Sequence, residues 1–225
     1  MDSRVLLAAL QHADSFFPGG TVAFSWGLEA LRADGLIRTA DEVALFAAGQ
    51  LRYRWASADR PVLAAAYGAG DDLEAVSAVD HLQEAMALAA QLRQGSRHMG
   101  AALLGVHRRL GTRNAEPYHA WALSGRVPGH IAVVQGLVWR SVGLSLEVAS
   151  TMAAHGFCVG LIGAALRLGL IGHLDGQRSL TALRDLIAEL LATPVPALGE
   201  ISSFAPACDI ALMRHETQTA RLFAN

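Results

Sequence analysis

Apolar residues along this chain recur three or four positions apart, as on one face of a helix, and almost nowhere alternate as a half-buried strand requires. Ser3 through Gln11 reads as a short amphipathic helix. Phe24, Leu28 and Leu31 share one face of the next element, which Asp34-Gly35 closes. Thr39-Ala-Asp-Glu42 has the form of a capping box and opens a helix to about Trp55. Asp59-Arg-Pro61 starts another, since proline is tolerated in a first turn. A helix from Leu73 to Gln94 is expected to bend at Gly95, with Ser96 capping a continuation to Leu110. Gly111–Pro117 reads as a polar linker, Tyr118 to Ser124 as a short helix, and Ile131 to about Val142 as an apolar helix. Leu170–Gln177 is expected to be a glycine-punctuated loop. The cleanest amphipathicity lies from Ser179 to Ala192, with Leu183, Leu186, Ile187 and Leu190 opposite Arg184, Asp185 and Glu189. Thr193–Pro206 reads as an extended connection, and a last helix runs from near Pro206 to about Leu222.

One stretch has no polar side. From Val148 to Leu166 there is no Asp, Glu, Lys or Arg, so the segment Val148–Leu170 has to be wrapped either by lipid or by the rest of the chain. His155, Ser150 and Thr151, with Glu147 and Arg167 near its ends, favour the second. Gly156, Gly160 and Gly163 clear one strip of it, at about 1 kcal/mol each in helix propensity, and predict close approach of a neighbouring helix. The expected fold is all-α: a single domain over residues 1–225, roughly ten helices around this apolar central helix.

Composition sharpens the picture in two ways. Apolar residues make up 52% of the 225 and charged ones only 17%, so the excess needs a large core or partner-covered surface. The net charge of -2 and the lack of a basic stripe argue against nucleic acid as a partner. Cys158 and Cys208 are too few for a zinc cluster, no secretory signal follows Met1, and a cytoplasmic location is expected.

Tests for chemistry end mostly in exclusions. Pro18-Gly-Gly20 invites a phosphate-loop reading, but the chain contains no lysine and no strand precedes the loop. The nine histidines include no pair at chelating spacing, so a metal site needs residues from separate helices or from two copies of the chain. Ser25 lacks the glycine two places earlier that a nucleophile elbow wants; its plainer reading is a cap or a buried hydrogen bond in a first turn. The ending, Asp209 to Phe223, sets charges beside Ile210, Leu212 and Phe223. It reads either as a helix docked on its own core or as one that orders against another protein.

Several stretches together resemble the UreF-type urease accessory proteins. These are Ala13-Asp14-Ser15, Pro18-Gly19-Gly20, Phe24-Ser25-Trp26-Gly27-Leu28-Glu29, Arg97-His-Met-Gly100, Gly129-His130, Gly136-Leu137-Val138, Arg167-Leu168, Gly172-His-Leu-Asp175-Gly176-Gln177, and Pro206…Asp209…His215-Glu216…Arg221-Leu222-Phe223. Each piece is weak alone; their order along nearly the whole chain is specific. Departures are Gly19 and Thr21 in the loop, Trp26 where the family has histidine, and His173 where it has glutamine.

The resemblance implies an all-helical, homodimeric accessory protein that is not itself an enzyme. It implies a scaffold that binds a UreD/UreH-type accessory protein, recruits a nickel-carrying UreG-type GTPase, and couples GTP hydrolysis to nickel insertion into the urease apoprotein. Nickel and GTP are then handled by partners, and this chain binds no cofactor, no nucleic acid and no membrane. By the same resemblance His215, Glu216, Arg221, Leu222 and Phe223, within a partner-binding segment 193–225, contribute to the UreD/UreH contact. Ser25, Glu29, Gly129, His130, Asp175 and Gln177 are candidates for either interface or fold-specifying roles. The alternative is a helical metallochaperone that holds nickel through histidines at a dimer interface.

Overall fold

The structure is a computed structural model that describes residues 2–14, 16–20, 24–215 and 223; of Ala207, Arg214 and His215 only the backbone is described. Eleven α-helical segments account for most of these residues, and no β-strand occurs among them. They are α1 (Ser3–Ala13), α2 (Leu28–Ala33), α3 (Ala40–Gln50), α4 (Arg60–Ala69), α5 (Leu73–Met86), α6 (Ala90–Arg109), α7 (Ala115–Leu123), α8 (Ile131–Ser141), α9 (Leu146–Arg167), α10 (His173–Ala192) and α11 (Pro206–His215).

The capping box at the start of α3 is present: the Glu42 amide donates to Thr39 Oγ1 at 3.3 Å, and the Thr39 amide donates to Glu42 Oε2 at 2.9 Å. The helix it opens does not stop near Trp55. It continues through a π-helical segment, Leu51–Asp59, directly into α4. Pro61 has no N–H to return to the preceding turn, and the carbonyls freed in this wider segment find other donors. Ser57 O accepts from the Ser202 amide at 3.1 Å and Tyr53 O from the Phe204 amide at 2.9 Å. The connection after α10 is thereby pinned along the π segment. Arg60 serves the same junction from the other side. Its buried guanidinium donates to Leu190 O at 2.7 Å, Leu191 O at 3.2 Å and Thr193 O at 2.9 Å, closing the carbonyl end of α10.

α9 is the central helix, packed against α1, α3, α4, α8 and α10. By length and composition it could cross a membrane, yet more than half of its most apolar window is buried inside the protein. Ala149, Ala154, Cys158, Ala164 and Ala165 are wholly enclosed. The glycine strip departs from expectation. No helix approaches Gly156 or Gly163, where a Cβ would meet nothing within 4 Å; at Gly160 it would meet only Trp26 Nε1, at 3.8 Å. The close crossings are elsewhere, at Gly136, whose Cβ would lie 2.4 Å from Leu63 O, and at Gly100.

Three boundaries also differ. The bend expected at Gly95 falls instead at Ala87–Ala89, leaving Gly95 and Ser96 inside α6. α7 begins at Ala115, within the expected linker. α10 begins at His173, so Asp175, Gly176 and Gln177 are helical rather than looped. Gly176 is there for packing: its Cβ would lie 3.0 Å from Ile162 Cγ2 on α9.

Candidate functional site

Asp80 and Glu84, one turn apart on α5, organise a buried polar knot. Asp80 is fully enclosed, and its carboxylate faces the open N-terminus of α8. It accepts from the Gly129 amide at 2.7 Å, the His130 amide at 3.0 Å and the Tyr118 hydroxyl at 2.7 Å. An acid at a helix N-terminus satisfies amides that have no partner within the helix. Ser96 adds to this, its Oγ accepting from the Ile131 amide at 3.3 Å. Ser96 therefore caps a helix other than the one expected of it.

His130 sits at the centre, wholly buried. Its Nε2 lies 2.8 Å from Glu84 Oε2 and its Nδ1 3.0 Å from Ser96 Oγ. An ionised carboxylate only accepts, so Nε2 carries the proton and Nδ1 accepts from the serine hydroxyl. Burial pushes the imidazole below its ordinary value against the pull of Asp80 and Glu84, in keeping with a neutral ring. Burial pushes the Glu84 carboxyl up, but hydrogen bonds from Arg97 and His130 outweigh it and hold the group below the usual carboxylate range. Arg97 pairs with Glu84, with Nε at 2.9 Å, and Arg93 lies 3.4 Å from its other oxygen. Both nitrogens of His130 are thus spent inside the chain. The stretches Arg97–Gly100 and Gly129-His130 meet here: a Cβ on Gly100 would fall 1.9 Å from Gly129 O.

A second assembly joins the two ends of the chain. Trp26 takes a positive φ of 57°, uncommon for a bulky residue, and Gly27 follows at 84°. A Cβ on Gly27 would meet Cys208 O, Cys208 Sγ and Leu212 Cγ, each at 3.3 Å. α11 therefore lies flat on this turn, held also by Cys208 Sγ donating to Trp26 O at 2.9 Å. Ser25 is buried, and its Oγ lies 3.5 Å from the Glu29 amide. Glu29 Oε2 accepts from the Phe223 amide at 3.3 Å, and the Arg167 guanidinium stacks 4.7 Å from the Phe223 ring centre. Phe223 is buried against its own chain. Glu216, Arg221, Leu222 and the side chain of His215 lie outside the described residues.

Asp175 and Gln177 stand apart from both assemblies, in the first turns of α10. Asp175 accepts from Arg178 at 3.1 Å and Gln177 is exposed. The members that sequence reasoning missed are Asp80, Glu84, Ser96 and Tyr118. Their one legible signal was an acid at Asp80 in register with Val76 on an apolar face. Among the described residues no three His, Cys, Asp or Glu side chains converge so as to hold a metal ion.

The sequence profile of the UreF family matches residues 37–184. This chain belongs to the UreF family. The urease accessory protein UreF of Trichodesmium erythraeum is similar to it, 35% identical over 97% of this chain and 96% of that protein. That of Cereibacter sphaeroides is 33% identical, over 98% and 99%, and that of Paenarthrobacter aurescens 27%, over 99% of each. The span matched by the UreF profile holds the knot around His130 and the start of α10. The turn at Ser25–Glu29 and α11 lie outside it, within the reach of the full-length UreF relatives.

Proposed function

We propose that this chain is a scaffold in urease maturation. As a homodimer in the cytoplasm, it binds a UreD/UreH-type protein, recruits a UreG-type GTPase and couples GTP hydrolysis to nickel insertion into apo-urease. The supporting observation is likeness to urease accessory proteins named UreF along nearly the full chain. The fold suits such a role: buried Asp80 and Ser96 build the start of α8 and Arg60 closes α10, while apolar surface remains for partners. Exposed Phe204, Ile210 and Met213 offer such surface on α11 and the extended connection before it. Nickel and GTP chemistry then belong to partners, consistent with a chain that has no lysine for a phosphate loop.

The test is co-purification with UreD/UreH-type and UreG-type proteins. Deleting α11 removes the Cys208 and Leu212 packing on Gly27, so point changes on its outer side are the cleaner probe. Ile210→Asp with Met213→Asp is expected to abolish capture of the UreD/UreH-type protein while the helical circular dichroism is retained. Capture at the level of the unaltered chain would remove α11 from the interface. Equilibrium dialysis against nickel separates the metallochaperone reading, which requires tight stoichiometric uptake by this chain alone, lost on a single His→Ala change.

A further inference from the structure

The glycine strip of α9 faces a cleft of about 280 Å³. α6, α8, α9 and the π segment wall it, with Phe17, Met99, Met152 and Phe157 supplying apolar surface. The volume is close to the small end of ligand pockets, about 300 Å³.

The polar groups in its wall define what it takes. Trp26, Trp139 and Arg54 line the cleft, each no more than 7% exposed, and Trp26 Nε1, Trp139 Nε1 and Arg54 Nη1 have no acceptor among the described residues. All three are donors only. A buried donor without an acceptor is destabilising, and such groups are few in a folded protein. Three in the wall of one cleft point to an acceptor-bearing occupant. Trp26 Nε1 would lie 3.8 Å from a Cβ on Gly160. The Arg54 guanidinium lies over the Trp26 ring, 4.4 Å from its centre. Its nearest carboxylate, Asp59, is 3.9 Å away, and burial pushes that carboxyl above the usual carboxylate range against the pull of Arg54. The other charged lining groups are engaged elsewhere: Asp14 accepts from the Phe16 amide at 2.9 Å, and Arg167 stacks on Phe223.

We propose that this cleft binds a small amphiphilic monocarboxylate, its apolar body along Gly156, Gly160 and Gly163 and its carboxylate on Arg54 and the Trp26 indole N–H. Glycines at these positions keep the floor clear for the apolar body, which accounts for a strip that no helix occupies.

The probe is decanoate, titrated into the full chain by calorimetry and by tryptophan fluorescence, with decan-1-ol as the uncharged comparison. Expected are one saturable site for decanoate and at least tenfold weaker binding of decanol. Arg54→Met should erase that difference, leaving both ligands at the weaker affinity. Gly160→Leu, and independently Gly156→Leu, should block both ligands while helical circular dichroism is retained. Absence of a saturable site, equal affinity for the two ligands in the unaltered chain, or unchanged decanoate binding in the folded glycine variants would overturn the proposal. So would a chain that is dimeric in solution, fails to bind decanoate and becomes monomeric on Gly156→Leu, because the strip would then seat a second copy.

Discussion

Gly100 and Gly105 are both interior positions of α6, and Gly→Ala at the two should have opposite effects. At Gly105 an added Cβ meets nothing within 4 Å. Only helix propensity changes there, so Gly105→Ala should stabilise by up to about 1 kcal/mol. At Gly100 the same methyl falls 1.9 Å from Gly129 O, with the Gly129 and His130 carbonyl carbons at 3.0 and 3.1 Å. The obstacle is backbone, held by the two amide bonds to Asp80. Relief requires α6 and the start of α8 to separate by more than ~1 Å, which strips contacts from a close-packed interface. Overpacking alone costs about 1–3 kcal/mol, and loosening the buried Asp80 and His130 hydrogen bonds adds to it. Gly100→Ala should therefore destabilise by about 1–5 kcal/mol net of its propensity gain. Urea unfolding followed by circular dichroism reads both variants against the unaltered chain. A midpoint for Gly100→Ala at or above that of Gly105→Ala would falsify the packing described for the knot.

Three further outcomes are expected. Tyr118→Phe, which removes one of three donors to Asp80, should cost about 1.5–3 kcal/mol. Asp80→Ala, which strands two buried amides and a hydroxyl, should cost clearly more; equal costs by urea unfolding would mean that α8 does not depend on this acid. His107 is wholly buried, and burial, with His12 stacked 5.0 Å away, holds its imidazole down at about 4 against an ordinary 6.5. Its folded form is neutral, so the stability it supports is complete above pH ~6.5 and is lost as pH falls toward the folded value, by about 3 kcal/mol at pH 4. His107→Gln should flatten that stretch of the stability–pH curve, and an unchanged slope would contradict the assignment. Gly156→Ala and Gly163→Ala should each raise Tm, since they gain about 1 kcal/mol of helix propensity and meet no neighbour; a lower Tm would mean that the strip is covered.

How much of this was legible in the sequence follows the range of the interactions. The Thr39–Glu42 box and the enclosed α9 were readable because capping and all-round apolarity are local signals. The continuous rod through Leu51–Asp59 was not, because its freed carbonyls are met by Ser202 and Phe204, far along the chain. The start of α10 at His173 was hidden by two glycines that read as a loop, although Gly176 serves packing against Ile162. Among candidate site residues, His130 was found by resemblance, but its surroundings were not. Asp80, Glu84 and Ser96 reach it from two other helices, and no spacing within one segment encodes that. The glycine strip is ambiguous for the opposite reason: small residues signal room for a neighbouring helix as readily as they signal the floor of a cleft.

The most direct test of the central claim is urease activation from purified parts. Apo-urease, the UreD/UreH-type and UreG-type proteins, GTP, nickel and bicarbonate are combined with and without this chain, and urea hydrolysis is followed. Activation should require this chain and should fall sharply with the Ile210→Asp, Met213→Asp variant. Full nickel-dependent activity in its absence would contradict the scaffold role outright.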